Sequence, residues 1–314
     1  GEAFIKKGDE VIVTEAEHHS NIVPWQMMCQ RKGAVLKVLP VDDTGRLKVE
    51  DLDEMLTDRT RIMAVTHVSN VLGIINPVRE IVDKCHSKGV AVLVDGAQGI
   101  VHCKVDVQDL DCDFYVFSGH KMYAATGTGV LYGKKKWLDA MPPYMGGGEM
   151  VGTVTFEKTS YAPLPMKFEA GTQNFASVPT FVDAINIVNL LNDNKLKENI
   201  DYIEHYLLNC LMSDSRITLY GVPCGTNEDK IPLFSFTVEG VHHEDLALIL
   251  DKMGIASRSG KMGIAVRSGQ MCAEPLMERF GVTGMLRISI SPYNTMQEAE
   301  YFVECLNRAI NMLV

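Results

Sequence analysis

A mostly parallel β-sheet covered by helices, followed by a smaller α+β region, is the fold class this sequence predicts. Three observations predict it. Strand-like apolar runs alternate with helix-like segments from Glu10 to Tyr132, the pattern of an α/β sheet with crossover helices. Two of the runs, Ala91–Asp95 and Phe114–Ser118, are continuously apolar and then end on a polar residue, as strands buried on both faces do where they open into loops. The alternation breaks at Asn192-Asp193-Asn194, a polar cluster that reads as a hinge. The boundaries follow: a large domain over 1–191 and a small domain over 192–314.

Taken in order, Gly1 to Gly8 reads as a helix end and a turn, and Glu10 to Thr14 as the first strand. Ile22 to Lys32 is helical in pattern, with Pro24 suited to a first turn. Ala34 to Leu39 predicts a strand, Val49 to Leu56 a helix and Arg61 to Val68 a strand. Val78 to Lys88 is a helix stopped by Gly89. The strands at Val90 and Phe114 follow, then Gly129 to Tyr132. Gly146-Gly147-Gly148-Glu149-Met150 is a flexible turn, and Val178 to Leu191 a helix leaving the large domain. Beyond the hinge, helices are expected near Ile200 to Met212, Glu244 to Met253 and Met296 to Leu313. Strands are expected at Ile217 to Tyr220, Leu233 to Val238 and Met285 to Ser291.

A tandem block interrupts the small domain. Lys252-Met253-Gly254-Ile255-Ala256-Ser257-Arg258-Ser259-Gly260 is followed at once by Lys261-Met262-Gly263-Ile264-Ala265-Val266-Arg267-Ser268-Gly269, differing only at Ser257 and Val266. The period is too short for a solenoid unit. One copy is expected in a strand and the other extruded as a loop. Val266 suits a strand better than Ser257, so the second copy is expected in the sheet.

Composition narrows the function. The 314 residues are 46% hydrophobic, ordinary for a globular core, and carry a net charge of −10. That charge argues against nucleic acid or an anionic membrane as partner. No apolar run is long enough to span a bilayer, and no signal peptide opens the chain. The 8 Cys include no Cys-x-x-Cys pair, which points to neither a zinc site nor a disulfide framework but to reduced thiols in a cytoplasmic setting.

The chemistry sits at strand ends, where open α/β sheets bind ligands. One strand ends in Asp95, and the next in Ser118-Gly119-His120-Lys121. A Lys beside a ligand cavity is partly desolvated, which favours the nucleophilic amine. An Asp and a Lys on neighbouring strand ends are what pyridoxal 5'-phosphate (PLP) requires. The Lys holds the cofactor covalently, and the Asp keeps the pyridine nitrogen protonated so that the ring withdraws electrons.

Glu17-His18-His19, His67-Val68-Ser69-Asn70, Val94-Asp95-Gly96-Ala97-Gln98 and Ser118-Gly119-His120-Lys121 together resemble the class V, fold-type I PLP-dependent transferases. With Arg267-Ser268-Gly269-Gln270-Met271-Cys272-Ala273, the resemblance narrows to group II cysteine desulfurases of the SufS type. It runs over essentially the whole chain, in the same order. Relatives also carry an N-terminal segment with a phosphate-gripping loop before this point, so the chain reads as a fragment.

The resemblance implies a role for each matching position. Lys121 carries PLP and then moves the substrate's Cα proton. Asp95 pairs with the pyridinium, Gln98 with the phenolic oxygen, and Ser118 and His120 with the phosphate. His18 stacks on the ring, with His19 the lesser candidate. Arg287 binds the substrate carboxylate, assisted by Asn70 and Arg267. Thr172, in Phe168-Glu169-Ala170-Gly171-Thr172, reaches the partner's phosphate across a homodimer, and the glycine turn resembles the family's latch hairpin. Cys272 takes sulfur from L-cysteine as a persulfide, leaving alanine. A thiolate is required there, and nearby cations favour it.

The implied activity is cysteine desulfuration for iron–sulfur cluster assembly, with selenocysteine lyase activity on L-selenocysteine and a SufE- or SufU-type protein as sulfur acceptor. No metal is implied. Two other readings stand beside it. A different class V aminotransferase or lyase keeps Lys121 and Asp95 but gives Cys272 no role. A non-catalytic fragment gives none of them one.

Overall fold

Buried apolar runs and the turns between them build the sheet expected from the sequence. The computed structural model describes residues 1–191, 194–221, 229–255 and 263–314. Its strands β1 (Glu10–Thr14), β2 (Val35–Leu39), β3 (Thr60–Thr66), β4 (Ala91–Asp95), β5 (Phe114–Ser118) and β6 (Gly129–Gly133) form one sheet in the order β2-β1-β3-β4-β5-β6. The first five run parallel, and β6 returns antiparallel beside β5. Met63, Ala64 and Val65 of β3 are fully buried, and so are Val92 and Val94 of β4. That is why these strands read as unbroken apolar runs.

Helices α1 (Val23–Lys32), α2 (Leu52–Met55), α3 (Val78–Ser87), α4 (Gly99–His102), α5 (Val107–Leu110), α6 (Lys135–Ala140) and α7 (Thr180–Leu191) belong to the same part of the chain. α1 carries Pro in its first turn and ends on Gly33 at φ 66°, a left-handed cap that glycine adopts without a Cβ clash. The helix expected over 49–56 is shorter than that. A 3₁₀ turn at Val49–Asp51 precedes a single turn of α2. The stretch holds Glu50, Asp51, Asp53 and Glu54, whose mutual repulsion opposes a longer helix. After the triple glycine comes a separate hairpin, β7 (Val151–Val154) and β8 (Thr159–Tyr161).

A second, antiparallel sheet has the order β11-β12-β10-β9, from β9 (Ile217–Tyr220), β10 (Leu233–Val238), β11 (Ala265–Gly269) and β12 (Met285–Ser289). It is accompanied by α8 (Asn194–Ser213), α9 (His243–Lys252), α10 (Glu274–Arg279) and α11 (Met296–Leu313). α11 opens with a reciprocal cap between Thr295 and Glu298. The expected hinge at Asn192 and Asp193 lies outside the described residues, and Asn194 already begins α8.

The second copy of the repeat forms β11. Of the first copy, Lys252 ends α9 and Ile255 is 3% exposed in the core, so this copy is not simply an extruded loop; its residues 256–260 lie outside the described residues. One core covers the first sheet and another the second. Met271, Ala273, Leu276 and Met277 belong to the first-sheet core although they follow β11 of the second sheet. This crossing brings the segment around Cys272 to the first sheet.

Candidate active site

Parallel strands end on one edge, so β1, β3, β4 and β5 deliver their C-terminal residues to the same place. A cavity of about 510 Å³ opens there, lined by His18, Ser20, Asn21, Asp95, Ala97, Val116, Phe117, Ser118, His120 and Lys121. Asp95 is buried at the end of β4, and its Oδ1 accepts the Ala97 N–H at 2.9 Å. Ser118 ends β5, and Lys121 follows on a 3₁₀ turn. Burial lowers the Lys121 ammonium below the ordinary lysine value; the Arg287 and Arg267 cations add to this, while Asp95 and Cys272 oppose it.

The turn after β1 carries Glu17, His18 and His19. The His18 Nδ1 lies 2.8 Å from Ser20 Oγ and accepts the Ser20 N–H at 3.2 Å. Burial, then the nearby Lys121 charge, lowers the His18 imidazole from its ordinary value. Glu17 is fully buried beneath this edge. It accepts from Thr14 Oγ1 at 2.6 Å, Asn21 Nδ2 at 2.6 Å and the Thr66 N–H at 2.8 Å, yet burial still pushes its carboxyl up to about 8. Thr66 pairs in register with Asp95, which ties the His18 turn to the Asp95 strand.

The second sheet and the loop after β3 meet in a wall outside the lining of this cavity. Arg287 on β12 pairs in register with Arg267 on β11. Arg287 Nη1 donates to the Asn70 carbonyl at 2.6 Å, whereas its buried Nε has no partner. Burial, then the neighbouring Arg267, pushes the Arg287 guanidinium down to about 10. Asn70 Nδ2 in turn donates to the Met271 carbonyl at 2.8 Å. Cys272 follows, half-buried, with Arg267 Nη2 at 3.9 Å from its Sγ.

The structure thus brings together Lys121, Asp95, His18, Ser118 and His120 around the cavity, and joins Asn70, Arg267, Arg287 and the Cys272 loop to one another. Gln98 is half-buried and precedes α4 outside the cavity lining, and Thr172 is exposed in a loop. The Gly171 N–H of that loop donates to the Gly148 carbonyl at 3.0 Å, which ties it to the glycine turn. Glu17 and His19 are the residues whose position sequence reasoning missed. Three chargeable residues in a row at a strand end were the available signal. Among the described residues no group of three or more His, Cys, Asp or Glu could hold a metal, and no helix is long and apolar enough to cross a membrane.

The Aminotransferase class-V family model matches residues 1–302. The chain belongs to the class-V aminotransferase family. Among curated class-V relatives, the cysteine desulfurase of Escherichia coli O127:H6 is 43% identical over 314 residues, 100% of this chain and 74% of the relative. That of Enterobacter sp. (strain 638) is 44% identical over the same shares. Among solved structures, E. coli cysteine desulfurase CsdA in an S-sulfonic acid form superposes with a TM-score of 0.89 at 39% identity, covering 99% of this chain and 74% of that one. Apo cysteine desulfurase from Thermococcus onnurineus NA1 gives a TM-score of 0.89 at 31% identity, over 98% of this chain and 74% of that one. These class-V enzymes are PLP-dependent. The donor set fits that cofactor: an amine and a carboxylate on adjacent strand ends line one cavity, together with the Ser118 and His120 side chains.

Proposed function

We propose that the chain is a PLP-dependent cysteine desulfurase whose two reacting side chains are Lys121 and Cys272. The observation that carries this reading is their convergence: the Cys272 carbonyl accepts the His19 N–H at 2.7 Å, next to His18, which lines one cavity with Lys121. An aminotransferase would need Lys121 and Asp95 but no thiol there.

When bound, PLP supplies an electron sink that acidifies the substrate's Cα–H and labilises its Cβ–S bond. Asp95 would pair with its pyridine nitrogen, Ser118 and His120 would hold its phosphate and His18 would stack on its ring, all four from the cavity lining, and Gln98 would reach its phenolic oxygen from just outside that lining. Lys121, its ammonium destabilised by burial, carries the cofactor and moves the Cα proton. Arg287, held by the Asn70 carbonyl, receives the substrate carboxylate, with Asn70 and Arg267 assisting. The Cys272 thiolate attacks the substrate sulfur as the Cβ–S bond breaks. The carbon gains a proton to become alanine, and the transferred sulfur stays on Cys272 as a persulfide, so that one cysteine yields one alanine and one enzyme-bound sulfur.

L-Selenocysteine is a further substrate, and a SufE- or SufU-type protein takes the sulfur toward iron–sulfur cluster assembly in the cytoplasm. All seven described cysteines are free, in keeping with a reducing compartment. The working unit is a homodimer with Thr172 reaching the partner's cofactor. Exposed Phe175, Val178 and Val182, which follow Thr172 in the chain, support an interface there. The two cores support a large domain over 1–191 and a small one over 192–314.

The test is to add PLP and L-cysteine and measure products. Alanine with sulfide is expected, and keto acid without sulfide would overturn the reading. The companion variant is Lys121→Ala. It is expected to hold no borohydride-fixable PLP, and PLP fixed to it at parental stoichiometry would overturn the assignment of Lys121.

A further inference from the structure

The turn after β1 sends three adjacent side chains to three places. Glu17 goes beneath the sheet edge and His18 to the cavity, but His19 leaves the cavity for the loop of Cys272. Its Nε2 accepts the Glu274 N–H at 3.0 Å, and its backbone N–H donates to the Cys272 carbonyl at 2.7 Å. An accepting Nε2 requires that any proton on a neutral ring sit on Nδ1.

The loop that His19 grips needs gripping. Met271 and Cys272 stand at φ 55° and φ 56°, two consecutive non-glycine residues in the left-handed region. L-residues avoid that region because of the Cβ, and such strain persists only where surrounding contacts over-determine it. From outside the loop, the Asn70 side chain holds the Met271 carbonyl, and His19 holds both the Cys272 carbonyl and the Glu274 N–H. Within it, the Ala273 N–H closes onto the Gln270 carbonyl at 2.9 Å, and Met271 and Ala273 are buried on either side. Asn70 also serves Arg287, whereas the His19 ring makes no other hydrogen bond among the described residues.

We infer that His19 is a positioning residue for the nucleophile: through Glu274 and Cys272 it fixes the left-handed turn that sets the Cys272 sulfur beside Arg267. The turn that brings His18 to the cofactor cavity thereby also fixes the distance between that cavity and the thiol. This rests on the proposed role of Cys272, but its test does not depend on desulfuration.

The experiment compares the PLP-loaded parent with His19→Ala and His19→Gln. It reads deuterium uptake of a peptide spanning 270–278 and iodoacetamide alkylation of Cys272 mapped by mass spectrometry. Loss of the acceptor should speed exchange at Glu274 about tenfold or more in His19→Ala, the behaviour of a loop released to open locally. Alkylation should rise with it, while the cofactor's visible absorbance stays. His19→Gln, whose side-chain oxygen can accept the same N–H, should restore much of the protection. Exchange and alkylation at parental rates in His19→Ala would overturn the inference. If that variant does not fold, His19→Leu is compared with His19→Gln, and equal exchange in those two would overturn it equally. Full cysteine turnover in Cys272→Ser would instead sink the role of Cys272 and leave the exchange result standing.

Discussion

Arg287 donates through Nη1 to the Asn70 carbonyl at 2.6 Å while its Nε, buried in the same wall, has no partner. A guanidinium fixed at one corner and unsatisfied at another has the planar fork that the proposed capture of a carboxylate needs. Its value of about 10 leaves it charged at neutral pH. Arg287→Ala is expected to weaken capture of the substrate carboxylate by about 1.5–3 kcal/mol, the range of a hydrogen bond to a charged group. That corresponds to roughly a 10- to 150-fold loss in kcat/KM for L-cysteine. Arg287→Lys should recover little, because an ammonium lacks the planar fork. Steady-state kinetics with the PLP absorbance as control checks this, and an unchanged kcat/KM would remove Arg287 from the substrate site.

Cys272→Ser should keep the PLP colour and lose cysteine desulfuration, because a hydroxyl at that position does not take up sulfur. Selenocysteine turnover should survive in part, since selenium leaves with less nucleophilic help. The check is alanine formation from each substrate together with mass spectrometry for a persulfide on Cys272. Parental rates on cysteine would rule out the thiol's role.

The legible part of this molecule was local. Asp95 and Lys121 could be read because a strand announces itself by an apolar run and its end by the first polar residue. β9, β10 and α11 fall on the residues that their own patterns predict. The expected helix over 49–56 is present from Val49 to Met55, but its opening 3₁₀ turn is not legible from apolar spacing. His19 is read from sequence only as the lesser candidate for the ring, and its contact with the Cys272 loop is not legible there. Its ring meets the Glu274 N–H across 255 positions of chain, and no periodicity reports a contact made only when α10 crosses to the first sheet. Glu17 enters the sequence reading only as part of the Glu17-His18-His19 motif, and only folding encloses it.

Stability should depend on pH through His67. Its Nδ1 lies 2.9 Å from the Tyr115 hydroxyl, and burial pushes the imidazole from 6.5 down to about 4. Between those values the unfolded chain binds a proton that the folded chain does not. The stability from a neutral His67 is therefore fully present above pH 6.5 and is lost as pH falls toward 4, by at most about 1.4 kcal/mol per pH unit. Glu17 acts oppositely: raised from 4.5 to about 8, it gives stability present below 4.5 and lost as pH rises through 8. The two offset each other between 4.5 and 6.5. Urea unfolding of the parent and His67→Gln at stepped pH isolates the first. The stability difference between them should grow from pH 4 to 6.5 and level off above it, and a flat difference would refute the assignment.

The tandem block offers a comparison in which only one residue changes. Removing 252–260 or removing 261–269 leaves the same chain except at a single position, Val in the first case and Ser in the second. In the structure that position is Val266, 3% exposed on β11 and opposite Ile288 of β12. The first deletion keeps Val266 and keeps the Arg267-to-Cys272 spacing. It also leaves one isoleucine where Ile255 and Ile264 are now both buried, at 3% and 0% exposure. Losing one such side chain costs about 1.5–3 kcal/mol, and shortening the connection changes the loop entropy only slightly. Fold and PLP binding should therefore survive it with a lower urea midpoint. The second deletion puts a hydroxyl at a buried strand position, which costs a further 1–3 kcal/mol or so, and should be the less stable of the two. Equal midpoints would mean that this position is not buried in the sheet, and the reverse order would mean that it prefers a hydroxyl to an apolar side chain.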